Sequence, residues 1–221
     1  MRTNAQYQGV IFDLDGTLAD TALGILNSHR HTIRAHGLSM PNESVLDGVI
    51  GGALDEIYTD RFHVAREDLK ECLKTYRDYY ATQGIYQAQL YEGIHALLQT
   101  LNANGIKLGV ATLKREDFAC RILSRFDVGS FFCSVRGVDK NDTLKKRDLI
   151  ELCIEQFNLP KSRCVMIGDS ISDAKGASLA GVDFIGVGYG YGFKDKNSIP
   201  PEMPVFDFAD TVQELHKLLI L

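Results

Sequence analysis

Apolar residues along this chain fall into short blocks, and the spacing between the blocks changes from strand-like to helix-like and back. Four runs, Val10 to Phe12, Lys107 to Ala111, Cys164 to Ile167 and Phe184 to Val187, read as strands apolar on both faces, the pattern of a buried parallel sheet. A weaker strand, Phe131 to Val135, falls between the second and third. Helical spacing lies between: His95 to Leu101 before the Asn104-Gly105 stop, Leu149 to Phe157 before Pro160, and Ala174 to Ala180 ending at Gly181. Strands alternating with helices predict an α/β fold built on a doubly wound parallel sheet.

The segment from 20 to 89 breaks this rhythm. It offers helical patterns at Ala22 to His36, Val45 to Gly48, Leu54 to Phe62 and Glu67 to Thr82, with no buried strand. One βαβ crossover does not need about seventy residues, so the segment is expected to be an inserted all-helical cap, with the core at 1–19 and 90–221. The runs Gly188-Tyr189-Gly190-Tyr191-Gly192 and Pro200-Pro201-Glu202-Met203-Pro204 mark late loops.

Composition narrows the functional classes. A chain of 221 residues can bury a full core and still carry a small insertion. Cys72, Cys120, Cys133, Cys153 and Cys164 are scattered, with no Cys-x-x-Cys pair, which argues for reduced thiols over a disulfide framework or a zinc cluster. The net charge of -5 and the lack of any Lys/Arg stripe beyond Lys145-Lys146-Arg147 exclude a nucleic-acid surface. Met1 to Gln8 does not read as a signal peptide, and no later run is long enough for a membrane span. A cytoplasmic protein with no membrane partner is expected; its oligomeric state is left open.

Chemistry enters where the strands end. Asp13-Leu14-Asp15-Gly16-Thr17 follows the first strand. A carboxylate there can hold a divalent cation and attack phosphorus, the cation offsetting the repulsion between two anions. Gly16 lets the backbone turn closely around a bound group. Alone, an Asp-Gly turn after a strand needs no catalysis, and the run lacks the further Asp or Asn and the late Glu of an EF-hand loop. The second strand runs into Thr112-Leu113-Lys114, the third into Gly168-Asp169-Ser170-Ile171-Ser172-Asp173, and in a parallel sheet all three meet at one edge. A hydroxyl followed by amides suits phosphoryl oxygens, and a carboxylate pair suits an oxygen-ligated cation. Plain alternatives stand beside these: Thr112 as a helix N-cap, and Asp169 or Asp173 as caps of the helix near Ala174. The six histidines, His29 and His31 included, have no metal-ligand spacing.

Taken together, Asp13-Leu14-Asp15-Gly16-Thr17-Leu18-Ala19-Asp20, Thr112 after a strand, a lysine near Lys146, and Gly168-Asp169-x-x-x-Asp173 resemble the four motifs of the haloacid dehalogenase-like hydrolase superfamily, over nearly the whole chain. Leu90-Tyr91-Glu92-Gly93-Ile94 and Gly176-Ala177-Ser178-Leu179-Ala180-Gly181-Val182 are similar to the phosphoglycolate phosphatase-like branch, which carries a small helical cap between its first two motifs. The resemblance implies a Rossmann-like core and a Mg2+-dependent phosphatase acting on a small phosphorylated metabolite through an aspartyl-phosphate. It implies Asp13 as nucleophile, Asp15 as general acid/base, Thr112 as the phosphate-binding hydroxyl and Lys146 as the cation that offsets charge. Magnesium would be held by Asp13, Asp169 and the backbone carbonyl of Asp15, with Asp173 behind them. Gly16, the Leu113 amide, Gly51 and Gly52 of a cap loop, and Arg77 are the candidate substrate contacts.

Two positions depart from the family pattern. Leu113 stands where Asn is common, and Lys145-Lys146-Arg147-Asp148 lacks the usual prolines. Lys146 is preferred because it stands just before the helical pattern at Leu149-Ile150, with Lys145 as its competitor. A phosphosugar mutase of the β-phosphoglucomutase type is the runner-up, disfavoured because that branch usually has Val in place of Thr17. Dehalogenation is disfavoured by the presence of Asp15, and a catalytically silent binding or regulatory member is the alternative of another class. The sequence does not choose among phosphoglycolate, nucleoside monophosphates, pyrophosphate and sugar phosphates.

Overall fold

The computed structural model describes residues 7–42, 45–46, 48–139, 143–203 and 205–220. The chain divides into two compact units, Met1–Ala19 with Leu90–Leu221, and Asp20–Gln89. It begins with β1 (Gly9–Phe12) and β2 (Ala19–Asp20), then passes through α1 (Ala22–Ala35), α2 (Leu54–Glu56) and α3 (Arg66–Thr82). It returns with β3 (Gln89–Leu90), α4 (Ile94–Ala103), β4 (Lys107–Arg115), α5 (Glu116–Arg125), β5 (Phe132–Val138) and α6 (Lys146–Phe157). The last elements are β6 (Cys164–Gly168), α7 (Ile171–Ala180), β7 (Asp183–Val187), β8 (Asp207–Ala209) and α8 (Val212–Ile220). β2 and β3 pair as a short ribbon where the chain passes between the units.

The larger unit is one six-stranded sheet ordered β5-β4-β1-β6-β7-β8, parallel throughout, as the blocks of apolar residues require. All four residues of β1 are buried. Glycine makes room for α6 on the sheet: a Cβ at Gly9 or at Gly109 would collide with the ring of Phe157, which therefore packs across both strands. Phe157 joins Ile11, Leu149, Cys153 and Met166 in one apolar core. Local signals end the helices where expected. Ser170 caps α7 reciprocally with Asp173, Gly181 closes it at φ +75°, and Asn158, in the left-handed region at φ 51°, closes α6 ahead of Pro160.

Several elements differ from the sequence expectation. β4 extends to Arg115, and α5, α8, β8 and the β2–β3 ribbon were not anticipated. β8 is three residues long with an aspartate at its head, too little for a period-2 pattern. Phe131 belongs to a 3-10 turn, and β5 runs on to Val138.

The 20–89 unit is helical. α1 buries Ile25, Ser28, His29, Thr32 and Ile33 on one stripe, and α3 buries Cys72, Tyr76 and Tyr80 at four-residue intervals. α1 approaches the 84–86 turn so closely that a Cβ on Gly24 would collide with the Gly84 carbonyl. The helix expected at Leu54 to Phe62 is α2 followed by a π-helical turn, Ile57–Arg61. Of the short helix expected at Val45 to Gly48, Val45 and Leu46 are helical, Gly48 is in a turn and Asp47 lies outside the described residues. Residues 1–6 and Pro204, within segments discussed above, also lie outside them. Among the described residues no helix is long and apolar enough to cross a membrane.

Candidate active site

Strand register decides which residues meet. Phe12 at the end of β1 is level with Val110 on β4 and with Ile167 on β6. Asp13 and Asp169 therefore follow their strands, and Thr112 lies within β4, at the same edge, the carboxyl ends of the central strands, where open α/β sheets bind ligands. The Asp13 amide still continues the ladder, donating to the Ile167 carbonyl at 2.9 Å.

Asp13, Asp169 and Asp173 are buried and offer carboxylate oxygens that all lie within 4.8 Å of one another. Lys146, the first residue of α6, reaches them from the side. Its Nζ lies 2.9 Å from Asp13 Oδ1 and 2.7 Å from Asp173 Oδ1, and donates to the Ala111 carbonyl at 2.9 Å. Lys145 next to it is exposed and caps α6, its amide donating to Asp148 at 2.9 Å. The stem of Lys146 passes over Gly176 of α7, where a Cβ would stand 2.5 Å from its Cγ.

Three buried carboxylates thus cluster about one buried ammonium, which touches two of them. Burial raises Asp13; Lys146 pulls it back, but Asp173, Asp15 and Asp169 add to the rise, and it is pushed up to about 7. Asp169 is pushed up to about 6 by burial and by Asp173, against the lowering effect of the Tyr191 and Gly192 amides. Burial alone would lower Lys146, yet Asp13 and Asp173 together outweigh it and hold the ammonium charged.

Asp169 is held from two sides. Its Oδ2 accepts the amides of Tyr191 at 2.7 Å and Gly192 at 3.2 Å, and its Oδ1 lies 3.4 Å from Thr17 Oγ1. Gly16, at φ +79°, faces this carboxylate so closely that any Cβ would collide with it. Asp173 Oδ2 accepts the Ser170 amide at 3.0 Å and the Ser170 hydroxyl at 2.6 Å. The capping alternative is therefore half right: Asp173 completes the cap of α7 and also faces Lys146, whereas Ser170, not Asp169, is the N-cap.

The other predicted residues separate. Thr112 is buried inside β4, and its Oγ1 accepts the Lys114 amide at 3.2 Å, so it is no helix cap; Arg115 stands at that position of α5. Beyond Thr112 the register slips, Thr112 pairing with Gly137 but Arg115 with Val138, so Leu113 and Lys114 bulge out of the strand. Leu113 packs against the apolar core. Lys114 turns back to pair with Asp15, Nζ to Oδ2 at 2.9 Å. The Asp15 carboxylate lies with Lys114 and outside the Asp13, Asp169, Asp173 group. Gly51, at φ +80° with open space around it, Gly52 and the half-buried Arg77 belong to the helical unit.

Lys114, Thr17 and the amides of the 188–193 loop join the site with contacts that the sequence does not assign to them. For the loop, the Gly-x-Gly-x-Gly run was the available signal. A Cβ on Gly190 would collide with the Gly16 carbonyl and with Asp169, and one on Gly192 with the Asp169 carbonyl.

Comparison with known proteins places the chain in a family. A family model described as haloacid dehalogenase-like hydrolase matches residues 10–187. Tyrosine-protein kinase PtkA of Mycobacterium tuberculosis is 36% identical over 216 residues, 96% of this chain and 72% of the relative. A 5'-nucleotidase of Pseudomonas aeruginosa is 33% identical over 192 residues, 86% of this chain and 87% of the relative. A phosphoglycolate phosphatase of Agrobacterium fabrum is 30% identical over 217 residues, 95% of this chain and 93% of the relative. The crystal structure of a "predicted phosphatase" from Clostridium acetobutylicum superposes with a TM-score of 0.87 at 32% identity, covering 96% of this chain and 97% of that one. The chain belongs to the haloacid dehalogenase-like hydrolases, in the phosphoglycolate phosphatase-like branch of that family.

Proposed function

We propose that this phosphoric monoester hydrolase removes the phosphoryl group of a small metabolite through an aspartyl-phosphate on Asp13, with Mg2+ bound among its carboxylates. One observation carries the reading: Asp13, Asp169 and Asp173 are buried together against a single ammonium, Lys146. A divalent cation balances the two charges left over, and hard oxygen donors are the ligands that Mg2+ takes. Asp13, Asp169 and the backbone carbonyl of Asp15 would hold it, with Asp173 fixing Lys146 behind them. When bound, the cation withdraws charge from the phosphoryl oxygens and lets an anionic nucleophile approach.

In this reading Lys146 occupies Asp13 Oδ1, and the other oxygen attacks phosphorus as the bond to the leaving oxygen breaks. Asp15 gives that oxygen its proton. Thr112 and the Leu113 amide bind phosphoryl oxygens, Gly16 lets the turn close around them, and Lys146 offsets their charge. Asp15 then takes a proton from the water that attacks the aspartyl-phosphate, and inorganic phosphate leaves. Hydrolysis is preferred to phosphoryl return because Thr17 stands where the mutase branch has Val. Gly51, Gly52 and Arg77 are assigned to substrate discrimination on the family resemblance alone.

The test is phosphate release over a panel of phosphoglycolate, nucleoside monophosphates, sugar phosphates, pyrophosphate and an aryl phosphate, with Mg2+ and with chelator. A peak in kcat/KM that chelation abolishes supports the reading and names the substrate. Turnover indifferent to chelation, or none on any phosphate, overturns it.

A further inference from the structure

The loop 188–193 joins the candidate site by more than its two amides. The Tyr189 hydroxyl donates to the Thr17 carbonyl at 3.1 Å, and its ring meets Tyr91 edge-on at 5.0 Å. Thr17 is the residue whose side chain faces Asp169 Oδ1, and Tyr191 and Gly192 are those whose amides face Oδ2. The Phe193 amide also donates to the Asp169 carbonyl, at 2.8 Å. The Asp169 carboxylate therefore sits between two segments, and the Tyr189 hydroxyl ties one to the other. Gly190 presses against the Gly16 carbonyl and the Asp169 side chain, so the loop lies on the nucleophile turn only because it lacks a side chain there.

We infer that Tyr189 is a positioning residue for cation binding: its hydroxyl bond to Thr17 fixes the pose of Asp169, which keeps Oδ2 on the loop amides and presents Oδ1 to the metal. The inference rests on the reading of Asp169 as a Mg2+ ligand. An Asp169 free to rotate would have to give up two amide bonds, or turn away from the other carboxylates, to reach the ion; the staple removes that freedom before the ion arrives. Tyr91, just past β3, supports the ring of Tyr189 and not its hydroxyl, so the two parts of the interaction can be separated by substitution.

The experiment is a titration of the metal-free protein with MgCl2, without substrate, followed by calorimetry and by the rise in Tm. Tyr189→Phe keeps the ring and deletes the bond. Its Kd for Mg2+ is expected to weaken roughly three- to tenfold, the effect of one neutral hydrogen bond, and its metal-free Tm to fall to an extent comparable with that of any other lost tyrosine hydrogen bond. Tyr7→Phe is the control, because Tyr7 donates to Asp183 at 2.6 Å and has no part in the site. It should lower Tm and leave the Mg2+ affinity unchanged. Gly190→Ala, which drives a methyl group between Gly16 and Asp169, should weaken Mg2+ more than Tyr189→Phe. Wild-type affinity in Tyr189→Phe, or an equal loss in Tyr7→Phe, overturns the inference while leaving the phosphatase reading intact. If the wild-type protein binds no Mg2+, both fall together.

Discussion

Lys114 Nζ lies 2.9 Å from Asp15 Oδ2, with both side chains only 7% exposed, so the proposed acid/base is gripped by a cation that comes from the bulge in β4. Removing one partner of a buried pair leaves the other charge uncompensated, and the cost falls on the pose of the survivor. Lys114→Met is therefore expected to lower kcat/KM by tenfold or more, on the order of 1.4 kcal/mol. Asp15→Ala should lower it further, but the double variant should lose less than the two single losses combined, because both act through one side chain. A steady-state double-mutant cycle measures this. Additive losses would mean that Lys114 acts elsewhere.

Asp15 has two tasks in the proposed sequence, and the leaving group separates them. An alkyl alkoxide needs protonation far more than an aryl oxide does. Asp15→Ala should still be phosphorylated on Asp13 by an activated aryl phosphate, giving a burst of phenol and then slow turnover, while alkyl phosphates scarcely react. Rapid-mixing kinetics checks this; equal losses on both substrates, without a burst, remove the acid/base role.

Lys146 and Lys145 are neighbours with opposite surroundings, one buried against Asp13 and Asp173 and the other exposed. Lys146→Ala is expected to cost about 2.7 to 4 kcal/mol in kcat/KM, comparable to loss of one preorganised transition-state donor, and Lys145→Ala far less. Gly176→Ala tests the same group at a distance. Its methyl would meet the Lys146 stem, and a displacement of about 1 Å at a catalytic group can cost on the order of 100-fold. Unchanged kcat in Gly176→Ala would show that α6 and α7 yield instead of the lysine.

Asp13 and Asp169 hold protons up to about 7 and about 6 in the metal-free site, above their usual 3.8. A group whose folded-state value is raised stabilises the fold at low pH and loses that contribution as pH rises through the folded value. In chelator, stability should therefore fall between about pH 4 and 7, by at most about 1.4 kcal/mol per pH unit for each group. A cation must displace those protons, so Mg2+ affinity should weaken as pH falls below 7. Calorimetric Mg2+ titrations and melting curves at pH 5.5 and 8 measure both trends. Asp13→Asn should abolish turnover even at saturating Mg2+, whereas Asp169→Asn should be partly rescued by more Mg2+.

The parts of the fold that were legible are those that follow from local pattern. β1, β6 and β7 are apolar on both faces, and α6 and α7 end at Asn158 and Gly181, so period and caps were enough. Asp13, Thr112 and Asp169 could be placed at one edge because parallel strands share a direction. Lys114 was not legible. Its path depends on a bulge that strand alternation does not announce, opposite Gly137, whose lack of a side chain lets the β4–α5 backbone approach. The clamp on Asp169 was legible only as a glycine-rich loop, because backbone amides do not show which group they meet and Tyr191 is 22 residues away in sequence. Lys146 was chosen over Lys145 from a helix start, and its burial depends on Gly176, 30 positions later in the chain.

His29 gives the helical unit its own dependence on acid. The imidazole is buried with Nδ1 3.4 Å from the Tyr58 hydroxyl, and its ring centroid is 5.5 Å from Phe62 and 4.6 Å from Tyr76. Burial holds it neutral and pulls its pKa down to about 3 from 6.5. Above pH 6.5 the neutral form is present in both folded and unfolded chains, so nothing is lost. Below it the unfolded chain takes up a proton that the folded unit refuses, and stability falls steadily toward pH 3, at about 1.4 kcal/mol per pH unit. Between pH 7 and 5 the loss is about 2 kcal/mol. His29→Phe keeps a ring among these aromatics and removes the titrating group. Corrected hydrogen exchange of the α1 amides at pH 7 and 5 should show the wild-type unit opening more readily at the lower pH, and His29→Phe changing by less than half as much. Equal pH dependence in the two proteins would move the acid sensitivity to another residue.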